Sequence, residues 1–352
     1  MKVLYEQRGL PVLQNRCYDT PEQAVKCATG HVTLVENQQT GLIYNAQFDS
    51  DLVTYDEKYD NEQSLSPSFR QHLSQVAEIV TKTLGKDSLI EVGCGKGFFL
   101  EFLLARGVDV TGFDPTYTGD NPRIINTLFE PEIISKPAKG LVLRHVLEHV
   151  PDPVHFLSSL RDANGGEGKI YIEVPCFDWI LQRGAWFDIF YEHVNYFRLS
   201  DLEGMFSQVE RAGRFFGGQY LYIVAELSSL REPIFQPALS VEFPSNFYEG
   251  IEIENQRHPE RLRYPRVAWG AASKGVIFTL FCQRQGLSLD AAIDVNPAKQ
   301  GKFMPVTGVP VISPETAASD LPAETLVYVM NSNYLSEIRR MSGNKFNYVG
   351  ID

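Results

Sequence analysis

The residues best equipped for chemistry lie in two short stretches. The first is Trp186-Phe-Asp188-Ile-Phe-Tyr191-Glu192-His193-Val-Asn195-Tyr196-Phe197, where aromatics surround an adjacent Glu-His pair. Histidine suits a general base near neutral pH, and a neighbouring carboxylate would orient it or raise its pKa. Adjacent residues on a strand point to opposite faces, so Glu192 and His193 need not act together. The plainer reading is a satisfied core histidine in an aromatic cluster, and composition alone favours it.

The second stretch is Leu143-Arg-His145-Val-Leu-Glu148-His149-Val-Pro-Asp-Pro153. His145 to His149 fits H-x-x-E-H, a zinc-protease signature. That chemistry needs a helix with both histidines on one face, a third ligand and a cleft. Here the segment directly follows an apolar strand, so zinc hydrolysis is not expected. Glu148 and His149 are expected to begin a helix, with at least one of them a surface or packing residue.

A third stretch, Glu91-Val-Gly93-Cys-Gly95-Lys-Gly97, contains no acid-base catalyst but can hold a ligand. It joins a strand at Ser88–Val92 to a helix at Phe98–Ala105. Glycines let the backbone turn tightly and approach a ligand closely. The helix start offers free N–H groups and the positive dipole end. A second strand ends at Gly112-Phe-Asp114-Pro, where a carboxylate can accept both hydroxyls of a ribose. The glycine spacing alone also fits a dinucleotide fingerprint. Glu91 inside the motif and Asp114 after the second strand sharpen the assignment.

These stretches require a scaffold of alternating strands and helices. Residues 71–228 supply it: an amphipathic helix at Leu73–Leu84, strands at Ser88–Val92, Val108–Phe113, Gly140–Leu143 and Lys169–Val174, and helices between them. Repeated strand-helix-strand units predict a parallel α/β sheet. Residues 229–352 begin with a Pro- and Glu-containing connection and continue as a second α/β unit. Its strands are expected at Val267–Trp269, Ala291–Val295, Thr325–Met330 and Tyr348–Ile351, with helices at Gly275–Gln285 and Tyr334–Met341. Residues 1–70 are turn-rich and polar, with strand-like pieces at Val32–Leu34 and Leu42–Tyr44. They read as a cap or docking segment.

Bulk properties exclude several classes. A net charge of −12 over 352 residues disfavours a phosphate backbone as partner. The five cysteines, Cys17, Cys27, Cys94, Cys176 and Cys282, are scattered without a CxxC pair. Neither a disulfide framework nor a thiolate zinc site is expected. Met1–Leu10 lacks a signal-peptide core, and no apolar run is long enough to span a bilayer. The expectation is a cytoplasmic protein acting on a small molecule, with no nucleic acid and no membrane partner; the oligomeric state is left open.

The glycine loop, Asp114 and the Leu-Glu-His-Val segment follow one another in the order seen in class I methyltransferases, which this part of the sequence resembles. The resemblance implies S-adenosyl-L-methionine as cofactor and a Rossmann-like fold. It implies that Glu91, Gly93, Gly95 and Gly97 cradle the cofactor, that Asp114 binds its ribose and that His145 lies near the sulfonium. Phe129 and Glu130 stand where that family often contacts the adenine.

Three further segments resemble the sugar C-methyltransferases, which act on nucleotide-linked 4-keto deoxysugars. They are Tyr191-Glu-His-Val-Asn-Tyr-Phe197, Trp269-Gly-Ala-Ala-Ser-Lys-Gly275, and Ile293-Asp-Val-Asn-Pro-Ala-Lys-Gln-Gly-Lys-Phe-Met-Pro305 followed by Asn331. This resemblance implies His193 as base with Glu192 and Tyr191 beside it, and a tyrosine, Tyr55 or Tyr59, reaching in from the N-terminal segment. It implies substrate contacts from Asn195, Lys274 and Asn331. The chain departs from that family in its N-terminal zinc module: Asn37 and Thr40 stand where a CxxC is expected, and both are poor zinc ligands. No metal is therefore expected. O- or N-methylation of another small metabolite keeps the same fold, and an inactive cofactor-binding scaffold is the alternative of a different class.

Overall fold

The structure is a computed structural model that describes residues 1–54, 66–130, 133, 136–244, 247 and 263–352. Tyr55 and Tyr59 lie outside the described residues.

The chain opens with an antiparallel meander: β1 (Lys2–Pro11), β2 (Thr29–Glu36) and β3 (Ile43–Asn45). The long first strand was not evident in the sequence, because charged and apolar residues mix along it. The turn between β2 and β3 falls where a zinc-binding pair was expected. The Asn37 side-chain oxygen accepts the Gln39 and Thr40 N–H groups, and the Thr40 hydroxyl accepts Leu42 N–H. Side-chain oxygens thus close the turn without thiolates.

The central sheet contains β4 (Leu89–Val92), β5 (Val110–Phe113), β6 (Ile124–Ile125), β7 (Gly140–Arg144) and β8 (Lys169–Pro175). The short strand β9 (Asn195–Tyr196) then leaves this sheet and pairs with β3. The hairpin β10 (Val209–Phe215) and β11 (Tyr220–Glu226) completes it, in the order β10-β11-β8-β7-β4-β5-β6. The sheet was expected to be parallel throughout. It is mixed, because β11 runs antiparallel to both β8 and β10. The connection through Phe216–Gly218, with Gly217 and Gly218 at positive φ, is too short to cross over.

Capping residues start the flanking helices. Ser66 accepts Phe69 N–H ahead of Pro67, opening helix Pro67–Thr83. Asp152 accepts His155 N–H ahead of Pro153, opening helix Pro153–Ala163. Glu148 and His149 therefore precede this helix, contrary to expectation. They close a short 3₁₀ turn, Leu147–His149, at the C-terminal end of β7.

The C-terminal sheet is β12 (Arg266–Trp269), β13 (Ala291–Ile293), β14 (Val311–Ile312), β15 (Leu326–Val329) and β16 (Asn347–Gly350). All its pairings are parallel, in the order β14-β13-β12-β15-β16. The first five strands of the central sheet have the same arrangement, β6-β5-β4-β7-β8. The chain thus carries one Rossmann-like winding twice. In each, the sheet reverses direction of growth beside its first strand, the place where such sheets bind ligands.

One apolar cluster runs from Leu10 and Val32 through Ile90, Leu143 and Phe187 to Ile277 and Phe281, joining all three units. Trp186 stacks on Phe278 and Phe281 of helix Ser273–Arg284, with ring centroids 5.8 and 4.9 Å apart. That helix is buried from Gly275 to Cys282, as expected for one that is apolar all round. Among the described residues, no helix is long and apolar enough to cross a membrane.

Candidate active site

Two features of the glycine loop leave room for a ligand. Gly93, Gly95 and Gly97 all have positive φ (70°, 54° and 83°). A Cβ at Gly93 would reach Val146 Cγ2 at 2.4 Å, and one at Gly97 would reach Ile124 Cδ1 at 2.3 Å. Packing therefore excludes side chains at both. Nothing lies within 4 Å of a Cβ built on Gly95, so the space above that residue is open. Asp114 braces the loop: its Oδ2 accepts Gly95 N–H at 2.7 Å, and its Oδ1 accepts the Thr116 N–H and hydroxyl. Phe129 packs edge-on against Phe113 at 5.2 Å, beyond the β5 end.

Glu91 lies beneath this loop, buried, and its Oε2 has no hydrogen-bond partner among the described residues. Burial pushes its carboxyl up to about 8, partly offset by Arg144 and assisted by Asp114. A buried carboxyl with an orphaned oxygen suits a cofactor that carries an ammonium group. An open glycine cradle braced by Asp114 suits a ligand with a carboxylate and a ribose. These residues fit S-adenosylmethionine.

Behind the cradle is a buried charge network centred on Glu173. It contacts His72 Nε2 at 2.9 Å, His145 Nε2 at 3.1 Å, Arg144 at 3.2 Å and the Tyr171 hydroxyl at 2.6 Å. Burial opposes ionisation of Glu173, but Arg144 and His72 outweigh it and hold the carboxyl well below its ordinary range. His145 has φ 52° and faces Glu148 through Nδ1 at 3.3 Å as well as Glu173 through Nε2. Burial disfavours its charge, yet those two hydrogen bonds prevail and raise it to about 9. With both ring nitrogens donating to carboxylates, His145 is an imidazolium.

The cavity beside this network, about 270 Å³, lies between the two Rossmann-like units. From the central unit it is lined by His145, Glu148, His149, Asp188, His193 and Tyr220. From the C-terminal unit come Ser273, Lys274, Asp294, Lys299, Asn331 and Tyr334, with Asn15 from the N-terminal segment. Among the described residues, the His193 ring nitrogens make no hydrogen bond. Its ring is wedged 4.0 Å from that of Phe190 and 5.0 Å from that of His149. Burial, then the neighbouring His149, His145 and Lys274, hold His193 well below its ordinary range. It is therefore a neutral imidazole with an available lone pair.

The comparisons with known proteins agree with this geometry. Residues 66–210 match the model of a methyltransferase domain, and residues 264–347 match that of the C-methyltransferase C-terminal domain. The chain is an S-adenosylmethionine-dependent methyltransferase. It is similar to the C-methyltransferase NovU of Streptomyces niveus, at 25% identity over 312 residues, covering 77% of this chain and 73% of that one. Two solved structures are more distant. The plantazolicin methyltransferase BpumL with SAH is 16% identical, with a TM-score of 0.36, covering 48% of this chain and 87% of that one. The magnesium protoporphyrin IX methyltransferase of Synechocystis PCC 6803 is 15% identical, with a TM-score of 0.33, covering 45% and 83%.

The methyltransferase brings His145, His193, Lys274 and Asn331 to one cavity. It does not bring Tyr191, Glu192 or Asn195 there. The Tyr191 ring lies on Gly30, where a Cβ would approach to 2.2 Å, and its hydroxyl bonds the Asp49 backbone. Glu192 Oε2 accepts Gln14 N–H at 2.9 Å. Both residues thus dock the N-terminal segment, while His193, in the same turn before β9, lines the cavity. Asn195 donates to the Leu147 and Val150 carbonyls and so holds the 3₁₀ turn that presents Glu148 and His149. Sequence reasoning missed Asp188 and Tyr220 as lining residues and undervalued Glu148 and His149. Asp188 stood inside the aromatic segment, and its pairing with Lys274 is a signal no single segment carries.

Proposed function

We propose that this methyltransferase methylates carbon next to the ketone of a nucleotide-linked 4-keto deoxysugar, with His193 as the base. The observation that carries the reading is a neutral imidazole, without a hydrogen bond among the described residues, in a cavity shared with the C-methyltransferase C-terminal domain. His193 accepts the proton from the acceptor carbon. The imidazolium of His145, fixed between Glu148 and Glu173, places positive charge on the cavity wall where negative charge develops on the ketone oxygen. S-adenosylmethionine, when bound at Gly93–Gly97, supplies an electrophilic methyl group. Enclosure between the units holds the acceptor in near-attack geometry, which supplies much of the rate.

The C-terminal unit supports a nucleotide-bearing acceptor. Its loop Gly270–Gly275 repeats the bracing of the cofactor loop: Ala271 N–H donates to Asp294 Oδ2 at 2.8 Å, and Asn296 N–H to Oδ1 at 2.8 Å. A Cβ at Gly275 would strike the Gly270 carbonyl oxygen at 1.8 Å, so the loop requires glycine there. Helix Ser273–Arg284 opens without a side-chain cap, its first turn on the cavity. Together with Lys274 and Lys299, this suits a diphosphate. Lys274 is held by Asp188 at 3.0 Å and by Gln219, which also receives Asn331 at 2.8 Å. The reading places the enzyme in the cytoplasm, where activated sugars are made.

Exchange of the carbon-bound proton in deuterated water, with a nucleotide-linked 4-keto deoxysugar and S-adenosylhomocysteine present, tests the base directly. The wild type should accelerate exchange, and His193→Ala should remove about 10²–10⁴-fold of that acceleration. Equal exchange by both would sink the assignment. Methylation of an O or N acceptor at a cavity lacking exchange activity would establish the second reading instead.

A further inference from the structure

The cavity holds a convergence of donors that a general base alone does not require. One ligand atom each from Glu148, His149 and His193 lie within 4.8 Å of one another. They come from two separate segments, the turn after β7 and the loop before β9.

Each of the three is prepared for an ion. Glu148 Oε1 faces the His145 ring, while its Oε2 is buried with no hydrogen-bond partner among the described residues. An oxygen of that kind is costly unless a cation or donor meets it. The nearby ammonium, Lys274, is engaged by Asp188 and Gln219. His149 Nδ1 faces the Glu192 carbonyl oxygen at 2.8 Å, so Nδ1 carries the proton and Nε2 keeps its lone pair. A backbone carbonyl fixing one ring nitrogen while the other faces an ion is the usual support of a metal-bound histidine. His193 is likewise without a hydrogen bond among the described residues, and its ring lies 5.0 Å from that of His149 on the cavity wall. Two neutral imidazoles and a carboxylate suit a divalent first-row ion such as Zn²⁺ or Co²⁺. Bonds of about 2.0–2.2 Å require these side chains to close in from their present spacing.

We propose that Glu148, His149 and His193 form a three-ligand site for a divalent transition-metal ion, with a further coordination position open to the acceptor cavity. The site is distinct from the zinc module missing at Asn37 and Thr40, and it does not use the H-x-x-E-H pattern, since His145 faces Glu173 instead. It rests on the proposed function only in placing His193 in the acceptor cavity. Coordination takes the lone pair that the base needs, so metal occupancy and proton abstraction exclude one another at His193. The ion is then an inhibitor of the base step.

The test is cobalt binding to the full chain after chelator treatment and desalting, without cofactor or acceptor. The expected result is a visible d–d absorption band saturating at one equivalent of Co²⁺ and bleached by Zn²⁺. His149→Ala and Glu148→Gln should each weaken the affinity at least about tenfold, while His155→Ala, at an exposed position of helix Pro153–Ala163, should leave it unchanged. A retained S-adenosylhomocysteine melting shift shows that each variant is folded. Absence of a saturable band in the wild type, or a band unmoved by both ligand variants, would overturn the proposal. Failure here is separable from failure of the base: proton exchange that depends on His193, with no cobalt site, sinks the metal alone. A cobalt site with exchange indifferent to His193 sinks the base alone.

Discussion

Glu91 and His193 show how burial sets chemistry one residue at a time. Glu91 has a folded pKa of about 8 against 4.5 for the free group, so the folded chain binds one more proton between those values. Its contribution to stability is full below about pH 4.5 and is lost as pH rises through 8. Glu91→Gln should therefore flatten the decline in melting temperature between pH 5 and 8, measured without cofactor. His193 has the opposite sense: its depressed pKa keeps it neutral below the usual histidine range. The acidic limb of kcat/KM for the base step should fall below pH 6.5, and a limb at or above that value would show that His193 is not the titrating base. The glycine loop was readable from sequence because its constraint is local: three positive φ angles and close approaches need glycine whatever surrounds them. The roles of Tyr191 and Glu192 were not readable. Their orientation is set by β9 pairing with β3, about 150 residues earlier in the chain, and by Gly30 and Gln14, which no local pattern joins to them.

At the scale of elements, β7 and β8 carry the buried charge network. β7 delivers Arg144 and His145, and β8 delivers Tyr171 and Glu173, one strand away in parallel register. Helix Pro67–Thr83 closes the network with His72. Glu173→Gln, at a fully buried position, would leave Arg144 and His145 without their shared counter-charge. A loss of about 3–5 kcal/mol is expected, measured by denaturant titration. A loss under about 1 kcal/mol would mean that the network is not a stabilising unit. Strand and helix positions in the two alternating regions were legible, since apolar runs and caps such as Asp152-Pro153 are local signals. The 3₁₀ turn at Leu147–His149 was misread as a helix start, because Pro151 and Pro153 defer the helix and Asn195 pins the turn from a distance. The antiparallel β11 escaped notice because a hairpin's direction is set by its short connection, not by the strand's own apolar pattern.

For the whole molecule, the decisive arrangement is the repeated winding with the cavity between its two copies. The central copy has its loop braced by Asp114 and the C-terminal copy its loop braced by Asp294. The proposed function has two ligands meet at the His145–His193 wall of this cavity. Lys274→Ala should raise KM for a nucleotide-linked acceptor about tenfold or more while leaving cofactor affinity unchanged, because its contacts, Asp188, Gln219 and Trp179, do not include the glycine loop. The two α/β units were legible from alternation alone. That they close on one cavity was not, since the contacts responsible, Trp186 on Phe278 and Phe281, join residues about 90 positions apart.

Under the proposed function, a cofactor site and a site for a nucleotide-bearing acceptor share this cavity. Melting temperature measured with S-adenosylhomocysteine, then with TDP, UDP, GDP or CDP added in turn, tests it most directly. A ligand at a hundredfold excess over its Kd stabilises by about 2.7 kcal/mol. A rise with S-adenosylhomocysteine and a further rise with one nucleotide alone is the predicted result. A rise with the cofactor product and none with any nucleotide would contradict the nucleotide-linked acceptor.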